Sequence, residues 1–257
     1  MNKLILSSLT IFLLASCSNN EAKFAEEDGL NVFNADSLKK HIAVLASDDF
    51  MRCKPFTEGE TKTVAYLQEQ FKQMGLEPGN GESYIQDVPM ANILATAAPS
   101  MQVKSAKGSF NLKAFDDYII WTDKTDSSIS LNEAELVFAG YGVVAPEYNW
   151  NDYAGLDVKG KVVMVMVNDP GFWIGDTSLF KGKAMTYYGR WTYKFEEAAR
   201  QGAKGCLIIH NTAAASYPFS VVQNSFNTTR LKLDNRGKNI PNCDVIGWVP
   251  EKISHQL

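Results

Sequence analysis

Aromatic rings and a cationic side chain are concentrated in the segment YYGRW, residues 187–191. A guanidinium group can bind a carboxylate through two parallel hydrogen bonds, and aromatic rings provide apolar walls for a binding site. A peptide cleft could therefore be lined by Tyr187, Tyr188, Arg190 and Trp191. The same residue types also suit a tyrosine-rich loop that packs on its own domain, with the arginine beside a ring. The residues alone leave both interpretations open.

The other residues capable of chemistry do not form a recognised catalytic pattern. None of the three histidines, His41, His210 and His255, lies in an HExxH or His-x-Asp pattern that could bind zinc. We expect His41 and His210 to be ordinary surface or strand-end residues. Glu196 and Glu197 fall in a predicted helix, where adjacent side chains diverge by about 100° and cannot meet at one site, so a solvated helix face is expected. The sequence also lacks a GxSxG elbow and a P-loop.

Three further cysteines follow the N-terminal segment, namely Cys53, Cys206 and Cys243. Their number is odd and no two have the CxxC spacing, so the sequence predicts neither a disulfide framework nor a cysteine zinc site. Cys206 opens an apolar run, and we expect it to be a small buried side chain.

Two helices are predicted in the first third of the chain. Apolar residues at helical spacing predict the first helix over residues 35–46. The second is expected to begin with a capping box formed by Thr57 and Glu60, in which each side chain satisfies a free amide of the first turn. Gly75 is expected to end this helix.

The pattern changes to β-strands after residue 84. A polar gap at residues 122–130 suggests a domain boundary, and the strands before it are expected to be edge strands whose partners lie outside this sequence. The almost unbroken apolar run at residues 161–167 predicts a strand buried on both faces. A helix over residues 191–202, with an i,i+4 pair on its polar side, leads into the buried strand CLIIH. The predicted fold class is mixed α/β.

The N-terminus has the composition of a targeting segment. Lys3 precedes the apolar run LILSSLTIFLL, which is too short for a permanent transmembrane helix. The following LASC, ending at Cys17, resembles the lipobox of bacterial lipoproteins, in which the cysteine is acylated after cleavage. The resemblance implies a signal peptide at residues 1–17, a flexible tether at 18–30, and an exported protein anchored through Cys17 to the bacterial outer membrane.

Net charge excludes one class of partner. The formal charge is −4 at pH 7, and no basic stripe is present. Nucleic-acid binding is therefore not expected.

Two long segments carry a family resemblance. LASDDFMRCKPFTEGETKTVAYLQEQFKQMGLEPG resembles the start of secreted zinc-dependent exopeptidases of metallopeptidase family twenty-eight, whose LASDxxxGR…TxGE segment precedes the first long helix. The family's Gly-Arg pair appears here as Arg52-Cys53. The segments FAGYGVVAPEYNWNDYAGLDVKGKVVMVMVNDPGF and YYGRWTYKFEEAARQGAKGCLIIH are similar to the protease-associated domain inserted in many of these enzymes.

The resemblance implies domains and a function. It implies the N-terminal part of a peptidase domain at residues 31–121 and a protease-associated domain at 131–250. The family's two zinc ions are bound by residues that follow the protease-associated insertion, and no position of this sequence matches them. We therefore expect the N-terminal portion of a lipid-anchored zinc aminopeptidase, with peptides or proteins as substrates, no bound zinc and no activity alone. The alternatives are a non-catalytic lipoprotein that binds peptides or a protein partner, and a degenerate gene product with no stable function.

Overall fold

The computed structural model describes residues 29–257 except residues 31, 107 and 227. The chain divides into an N-terminal unit, Met1–Asp87, and a C-terminal unit, Val88–Leu257. The predicted signal peptide, Cys17 and most of the tether lie outside the described residues.

The N-terminal unit contains the two predicted helices, α1 (Ala35–Leu45) and α2 (Glu58–Gln73), with a 3-10 segment between them at Asp48–Cys53. The carboxamide oxygen of Asn34 accepts hydrogen bonds from two backbone amides of the first turn of α1, at 2.9 and 3.0 Å. These bonds satisfy amides that have no partner within the helix, and so fix where α1 begins. Among the described residues, no helix is long and apolar enough to cross a membrane.

Helix α2 begins where expected, but the predicted capping box does not form. The Thr57 hydroxyl donates to the carbonyl oxygen of Lys54 at 2.6 Å instead of capping the helix. The Glu60 carboxylate accepts from the backbone amide of Phe56 at 2.5 Å. Phe56 has a left-handed backbone, with φ of 60°, and the carboxylate therefore reaches an amide one residue earlier than the motif predicts.

The 3-10 segment contains three consecutive residues in the left-handed region. The φ angles of Met51, Arg52 and Cys53 are 47°, 60° and 52°. A left-handed backbone costs an ordinary residue about 1–2 kcal/mol, whereas glycine adopts it freely. Arg52 occupies the position at which the resembled family has glycine, so the backbone here has the conformation that favours the family's residue.

The apolar sides of both helices are largely exposed. Leu38 and Ile42 of α1 are 53% and 63% exposed, and Met74 after α2 is 61% exposed. Leu67 and Phe71 of α2 are also exposed. An amphipathic helix normally buries such a stripe against another element. In the part of the chain that the structure describes, these two stripes are not covered.

All strands among the described residues lie in the C-terminal unit, and a five-stranded sheet forms its centre. The strands are β1 (Met90–Ile93), β2 (Ser100–Ser105), β3 (Gly108–Lys113), β4 (Ile119–Trp121), β5 (Leu136–Phe138), β6 (Val144–Ala145), β7 (Trp150–Asn151), β8 (Val162–Met166), β9 (Gly205–His210), β10 (Arg230–Leu233) and β11 (Val245–Pro250). The sheet has the order β4-β11-β9-β8-β5, and all pairings are parallel except that of β4 with β11. The mixed α/β class is confirmed.

Short helices connect and flank these strands. They are α3 (Pro170–Ile174), α4 (Trp191–Arg200), α5 (Thr212–Ala215), α6 (Phe219–Ser225) and α7 (Glu251–Ser254), with 3-10 turns at Pro146–Tyr148 and Tyr187–Gly189. Helix α4 forms the crossover between the parallel strands β8 and β9, as the sequence predicts. The remaining strands pair locally, β1 with β10, β2 with β3, and β6 with β7.

The division of the chain lies upstream of the predicted boundary at residues 122–130. Strand β4, which precedes this polar gap, pairs with β11 near the end of the chain. Gly247 in β11 makes this pairing possible, because a Cβ atom there would collide with the carbonyl oxygen of Ile119. Residues 122–130 are therefore a loop inside the C-terminal unit, and the strands before it find partners within the chain. The assignment of residues 31–121 to a peptidase domain and of residues 131–250 to a protease-associated domain stays a prediction.

The two faces of the sheet are covered by different elements. Alternate residues such as Val165, Ile208 and Trp248 pack with α4 and form the helix face. Met164, Leu207 and Val249 point the other way and pack with the β2–β3 hairpin and α7, forming the hairpin face. The four parallel strands lie side by side in the order in which they occur in the chain, β5, β8, β9 and β11. Right-handed crossovers between strands that always add on the same side all lie on one face of the sheet. The hairpin face therefore has fewer elements to cover it.

Candidate binding cleft

An apolar cleft of about 360 Å³ opens on the hairpin face, at the carboxyl ends of the parallel strands. Its floor is formed by the apolar side chains of Met164, Met166, Val167 and Ile209. Two aromatic residues stand at its sides, Phe138 at the end of the edge strand β5 and Trp173 in α3, and they are 52% and 53% exposed. Ligands of open α/β sheets bind at this edge, outside the carboxyl ends of the strands. A concave apolar surface with a few polar groups is also the usual form of a small-ligand site.

The polar groups of the cleft come from the residues that follow β9 and β11. They are Asn211, Glu251, Ser254 and His255. The Asn211 carboxamide has two roles, because its oxygen accepts from the backbone amide of Ala214 at 3.0 Å and its nitrogen donates to Glu251 Oε2 at 2.8 Å. Asn211 thus caps α5 and holds the Glu251 carboxylate at the mouth of the cleft.

The four residues that were predicted to line a peptide cleft lie elsewhere, around the N-terminus of α4. They are Tyr187, Tyr188, Arg190 and Trp191. Tyr187 is exposed, and its hydroxyl donates to Glu196 Oε2 at 2.7 Å. Tyr188 donates to Glu147 Oε1 at 2.6 Å, and this hydrogen bond raises the pKa of Tyr188 to about 12. Both hydroxyls therefore bind carboxylates of the same unit.

Trp191 and Arg190 differ in their surroundings. The Trp191 ring packs against Phe195 and Phe226, with ring centroids 5.9 and 6.0 Å apart. Tyr188 packs in the same manner against its own unit, in a cluster with Phe180. The Arg190 side chain is exposed. None of Tyr187, Tyr188, Arg190 and Trp191 lines the cleft, and a substrate-facing role for them stays a prediction.

The glutamate pair is divided between solvent and the interior. Glu196 is exposed and lies 3.9 Å from Arg200, which is the expected i,i+4 pair. Glu197, for which a solvated position was expected, is buried, and that expectation is wrong. Its carboxylate lies 2.8 Å from both Nε and Nη2 of Arg200 and accepts from Gln201 Nε2 at 2.8 Å. Three charge-assisted or polar bonds, from Arg200 in α4 and from Gln201 directly after it, make this burial possible.

His210 ends β9, which confirms the strand-end position predicted for it, and the structure shows that it is buried. It is 3% exposed and is surrounded by the rings of Tyr217, Phe219 and Trp248 at centroid distances of 5.5, 5.4 and 5.8 Å. Burial lowers the pKa of the imidazole. The position of His210 at the end of an apolar run predicts that it lies at the edge of the sheet. The burial of its ring depends on the segment after β9 that covers it, with Tyr217 and Phe219.

Lys194, in α4, is the most unusual charged residue of the C-terminal unit. The side chain has no exposed surface, and Nζ has no hydrogen-bond partner among the described residues. Burial lowers the pKa of Lys194 to about 7, although Asp152 and Asp169 act in the opposite direction. The cost of burying an unpaired ammonium group favours the neutral amine.

Backbone donors already occupy the two carboxylates near Lys194. Asp152 Oδ2 accepts two backbone amides from the turn between β5 and β6, at 3.1 and 3.0 Å. Asp169 caps α3 through the amide of Gly171 at 3.2 Å, and accepts both the amide and the hydroxyl of Thr186 at 3.0 and 2.7 Å. These bonds hold each carboxylate on its own loop. Among the described residues Lys194 Nζ has no hydrogen-bond partner, and it lies 5.9 Å from the centroid of the Tyr193 ring.

The described residues do not offer a site that fits zinc. No group of three or more histidine, cysteine, aspartate or glutamate side chains is placed to hold a metal ion in residues 29–257, leaving aside 31, 107 and 227. His41 donates or accepts a 2.6 Å hydrogen bond with the Tyr66 hydroxyl, and His210 is enclosed by aromatic rings. No chemical step of this chain is therefore assigned to a metal.

The residues of the cleft do not stand out in the sequence, although the ends of the apolar runs lie near some of them. Asn211 follows the predicted strand CLIIH, where parallel sheets place their ligand-binding residues. Phe138 and Glu251 lie at and just after the ends of β5 and β11, for which no individual strand was predicted from the sequence. Only the pairing of β5, β8, β9 and β11 shows that these ends lie at one edge.

Comparison with known proteins gives a distant structural likeness. No protein-family model and no curated protein matches the chain. Among solved structures, an aminopeptidase from Aneurinibacillus sp. strain AM-1 is similar, with 19% sequence identity and a TM-score of 0.38. The alignment covers 87% of this chain and 40% of that aminopeptidase, so the chain spans less than half of its length. A likeness of this size carries no argument about function.

Proposed function

We propose that this chain is the N-terminal part of a zinc-dependent aminopeptidase, in which the C-terminal unit is a non-catalytic module that binds peptide substrates. The observation that carries the binding role is the apolar cleft at the carboxyl edge of the parallel strands. The resemblance of two long segments to zinc exopeptidases with a protease-associated domain supports the aminopeptidase assignment.

The cleft suits an apolar side chain attached to a polar main chain. Methionine and isoleucine on its floor offer a flexible apolar surface, while Asn211 and Ser254 offer hydrogen-bonding groups at its border. Its volume of about 360 Å³ is near the lower end of the range for small-ligand sites, about 300–1,000 Å³. A peptide would therefore place one large side chain in the cleft and run onward over the surface.

In the proposed enzyme, bound zinc would supply the hydrolytic chemistry. The ligands for zinc would come from a part of the polypeptide outside this sequence. The residues of this chain bind and orient the substrate. The uncovered apolar stripes of α1 and α2 would pack against that further part.

We further propose that the protein is exported and anchored to the outer membrane by acylation of Cys17, on the evidence of the LASC segment. Fractionation of cells expressing the wild-type protein and Cys17→Ser tests this location. We expect the wild type with membranes and the variant in the soluble fraction. Equal membrane association of both would contradict lipid anchoring.

Peptide binding is tested with the purified chain and a Leu-Ala-Ala probe that carries a fluorophore at its carboxyl end. We expect saturable binding, weakened about fivefold or more in Met166→Gln because a polar amide replaces an apolar side chain of the floor. Met51→Gln, an exposed methionine of the N-terminal unit, is the matched control and should bind like the wild type. Absence of binding to the wild type would overturn the binding role.

The aminopeptidase assignment has a separate test in the DNA that follows codon 257. A continuing reading frame with a His-x-Asp segment and the further acidic ligands supports it. A stop codon directly after codon 257 would contradict it, and would favour the alternative of a non-catalytic lipoprotein. The chain alone, supplied with zinc, should not hydrolyse aminoacyl chromogenic substrates, and chelator-sensitive turnover would show that it holds a metal site of its own.

A further inference from the structure

The chain between β8 and α4 forms a closed loop at residues 169–186. Its two ends meet because the Asp169 carboxylate accepts the backbone amide and the hydroxyl of Thr186, at 3.0 and 2.7 Å. Two glycines let the halves of the loop pack closely, since a Cβ atom at Gly171 would lie 3.1 Å from the carbonyl oxygen of Gly182. Compact surface loops whose ends are close together often carry a function.

A buried ring fixes the loop to the C-terminal unit. Phe180 has no exposed surface, and its ring stacks on that of Tyr148 with centroids 4.2 Å apart. The rings of Trp150 and Tyr188 meet it edge-on at 5.9 and 5.8 Å. Phe180 and Lys181 have left-handed backbones, with φ of 49° and 61°, which is unfavourable for residues other than glycine. The packing of Phe180 stabilises this conformation.

The outer side of the loop is apolar and cationic. Trp173 and Ile174 are 53% and 59% exposed. Lys181 and Lys183 are exposed as well, and among the described residues no carboxylate forms an ion pair with either. A Cβ atom on the glycine between these lysines would lie 3.4 Å from the backbone that directly follows Ile174. The loop therefore carries the two lysines on the segment that packs beside the apolar pair.

The carboxylates of the loop do not cancel its positive charge. Asp169 is fully buried at the base of the loop. Asp176 accepts the backbone amide and the hydroxyl of Ser178 at 2.8 and 2.7 Å, and these hydrogen bonds lower its pKa. One exposed carboxylate thus stands against two exposed lysines, and the exposed Arg190 follows the loop.

The charges around the loop are largely balanced. Glu251 lies in the cleft that Trp173 also lines, but it is followed by the exposed Lys252, and His255 lines the same cleft. On the other side, the carboxylates of Glu147 and Glu196 accept hydrogen bonds from tyrosine hydroxyls. The loop is therefore the place where exposed apolar side chains and uncompensated cations coincide.

From this coincidence we infer that the 169–186 loop docks on a membrane surface that contains anionic phospholipid. Tryptophan is enriched at membrane interfaces, where its ring lies at the level of the headgroups, and lysines are attracted to anionic lipid. Trp173 and Ile174 enter the boundary between headgroups and acyl chains, and Lys181 and Lys183 bind the headgroup phosphates. The choice of a lipid surface rests on the proposed anchoring at Cys17, which holds the chain beside a membrane.

The contact is weak and reversible by itself, so acylated Cys17 remains necessary for stable attachment. A lysine at an anionic surface changes the docking equilibrium about fivefold, so the double variant Lys181→Gln/Lys183→Gln should weaken docking about 20-fold. Ile174→Gln should weaken it about fivefold or more, because an apolar side chain no longer leaves water. Docking should also weaken in high salt.

Tryptophan fluorescence measures the docking of the loop. The wild-type protein is incorporated into vesicles of equal parts phosphatidylcholine and phosphatidylglycerol, whose brominated acyl chains quench tryptophans that reach them. Trp173 is the most exposed of the five tryptophans, and all five follow residue 88, so the N-terminal anchor gives no signal. We expect quenching that is stronger than in vesicles of phosphatidylcholine alone and that disappears in Trp173→Phe.

Matched controls come from exposed residues elsewhere in the same unit. Ile240, which is 48% exposed, provides Ile240→Gln as the control for Ile174→Gln. The exposed residues Lys159 and Lys238 provide the control for the double lysine variant. Both controls should be quenched like the wild type. The substituted loop residues Ile174, Lys181 and Lys183 do not line the cleft, so the result is independent of peptide binding.

The outcomes separate docking from the proposed function. Absence of quenching in the wild type would overturn the inference, as would equal quenching in the two kinds of vesicle or undiminished quenching in the double lysine variant; peptide binding and lipid anchoring would stand. Flotation of the protein with the vesicles tests the anchor separately, since it should depend on Cys17 and not on the loop lysines. Self-association that is lost in Ile174→Gln would show that a second copy covers the loop, and would also overturn the inference.

Discussion

Replacing Lys194 with methionine should stabilise the C-terminal unit and change how its stability depends on pH. Methionine has a similar length and fills the same space with apolar atoms. Methionine has no group that can be protonated. The amine of Lys194 can be protonated, and it is fully buried without a hydrogen-bond partner among the described residues. The variant therefore removes the cost of either desolvating a charge or neutralising it.

The magnitude follows from the difference in pKa between the two states. The pKa of Lys194 is about 7 in the folded chain, against 10.5 for an unperturbed lysine. Between these values unfolding takes up a proton, so folding stability is complete above pH 10.5 and is lost as the pH falls to about 7. The slope for one proton is about 1.4 kcal/mol per pH unit. Lowering the pH from 9 to 7 should therefore cost the wild type about 2–3 kcal/mol relative to Lys194→Met.

Urea unfolding at pH 7, 8 and 9 measures this difference. All five tryptophans lie after residue 88, so their fluorescence reports only on the C-terminal unit. The pKa values of four other side chains are raised, so their contribution to folding stability falls as the pH rises. They are Tyr153, Tyr193, Cys206 and Cys243. Their contributions largely cancel when the two proteins are compared at the same pH, and measurements up to pH 9 remain below the range of the tyrosines.

Lys204→Met is the matched control, because Lys204 is an exposed lysine directly before β9. Its pH dependence should parallel that of the wild type. Parallel curves for the wild type and Lys194→Met would refute the reasoning, because they would mean that Lys194 remains charged after folding.

Three other predictions follow from the fold. Residues 88–257 should fold alone, and a fragment of residues 131–257 should have a lower melting temperature because it lacks β4, the partner of β11; equal melting temperatures would contradict the sheet order. Burial lowers the pKa of His210 below the value of about 6.5 that it has in the unfolded chain, so its contribution to folding stability is lost as the pH falls below 6.5. His210→Gln should therefore reduce the fall in melting temperature between pH 7 and 5, and an unchanged fall would contradict this. A thiol reagent should label Cys53 well before Cys206, because Cys206 is fully buried and burial raises its pKa; rapid labelling of Cys206 in the folded protein would contradict its place in β9.

Local features of the sequence were sufficient to predict several elements. The apolar spacing in α1 and α2, the continuous apolar runs of β8 and β9, and the helix between them all agree with the structure. The burial of Cys206 is confirmed as well. Each of these depends on residues within about fifteen positions, for which periodicity is a direct signal.

Long-range pairing accounts for the predictions that differ from the structure. The polar composition of residues 122–130 is typical of a linker, yet β4 before it and β11 far beyond it are neighbours in one sheet. Glu197 has the sequence context of a surface residue, but the bonds of Arg200 and Gln201 compensate for its burial. Composition cannot show such partners, because they are selected by how the elements pack.

The sequence by itself determined the class of the fold, the main helices and buried strands, and the resemblance that suggests a zinc exopeptidase. Only the tertiary structure decided where a ligand could bind, because Phe138, Asn211 and Glu251 are separated by long stretches of chain and meet at the carboxyl edge of the sheet. It also decided that Lys194 is buried with no hydrogen-bond partner for Nζ among the described residues. The physical reason is the same in both cases: a side chain acquires its electrostatic environment from elements distant in sequence, and these come together only when the parallel strands pair and bury their two faces.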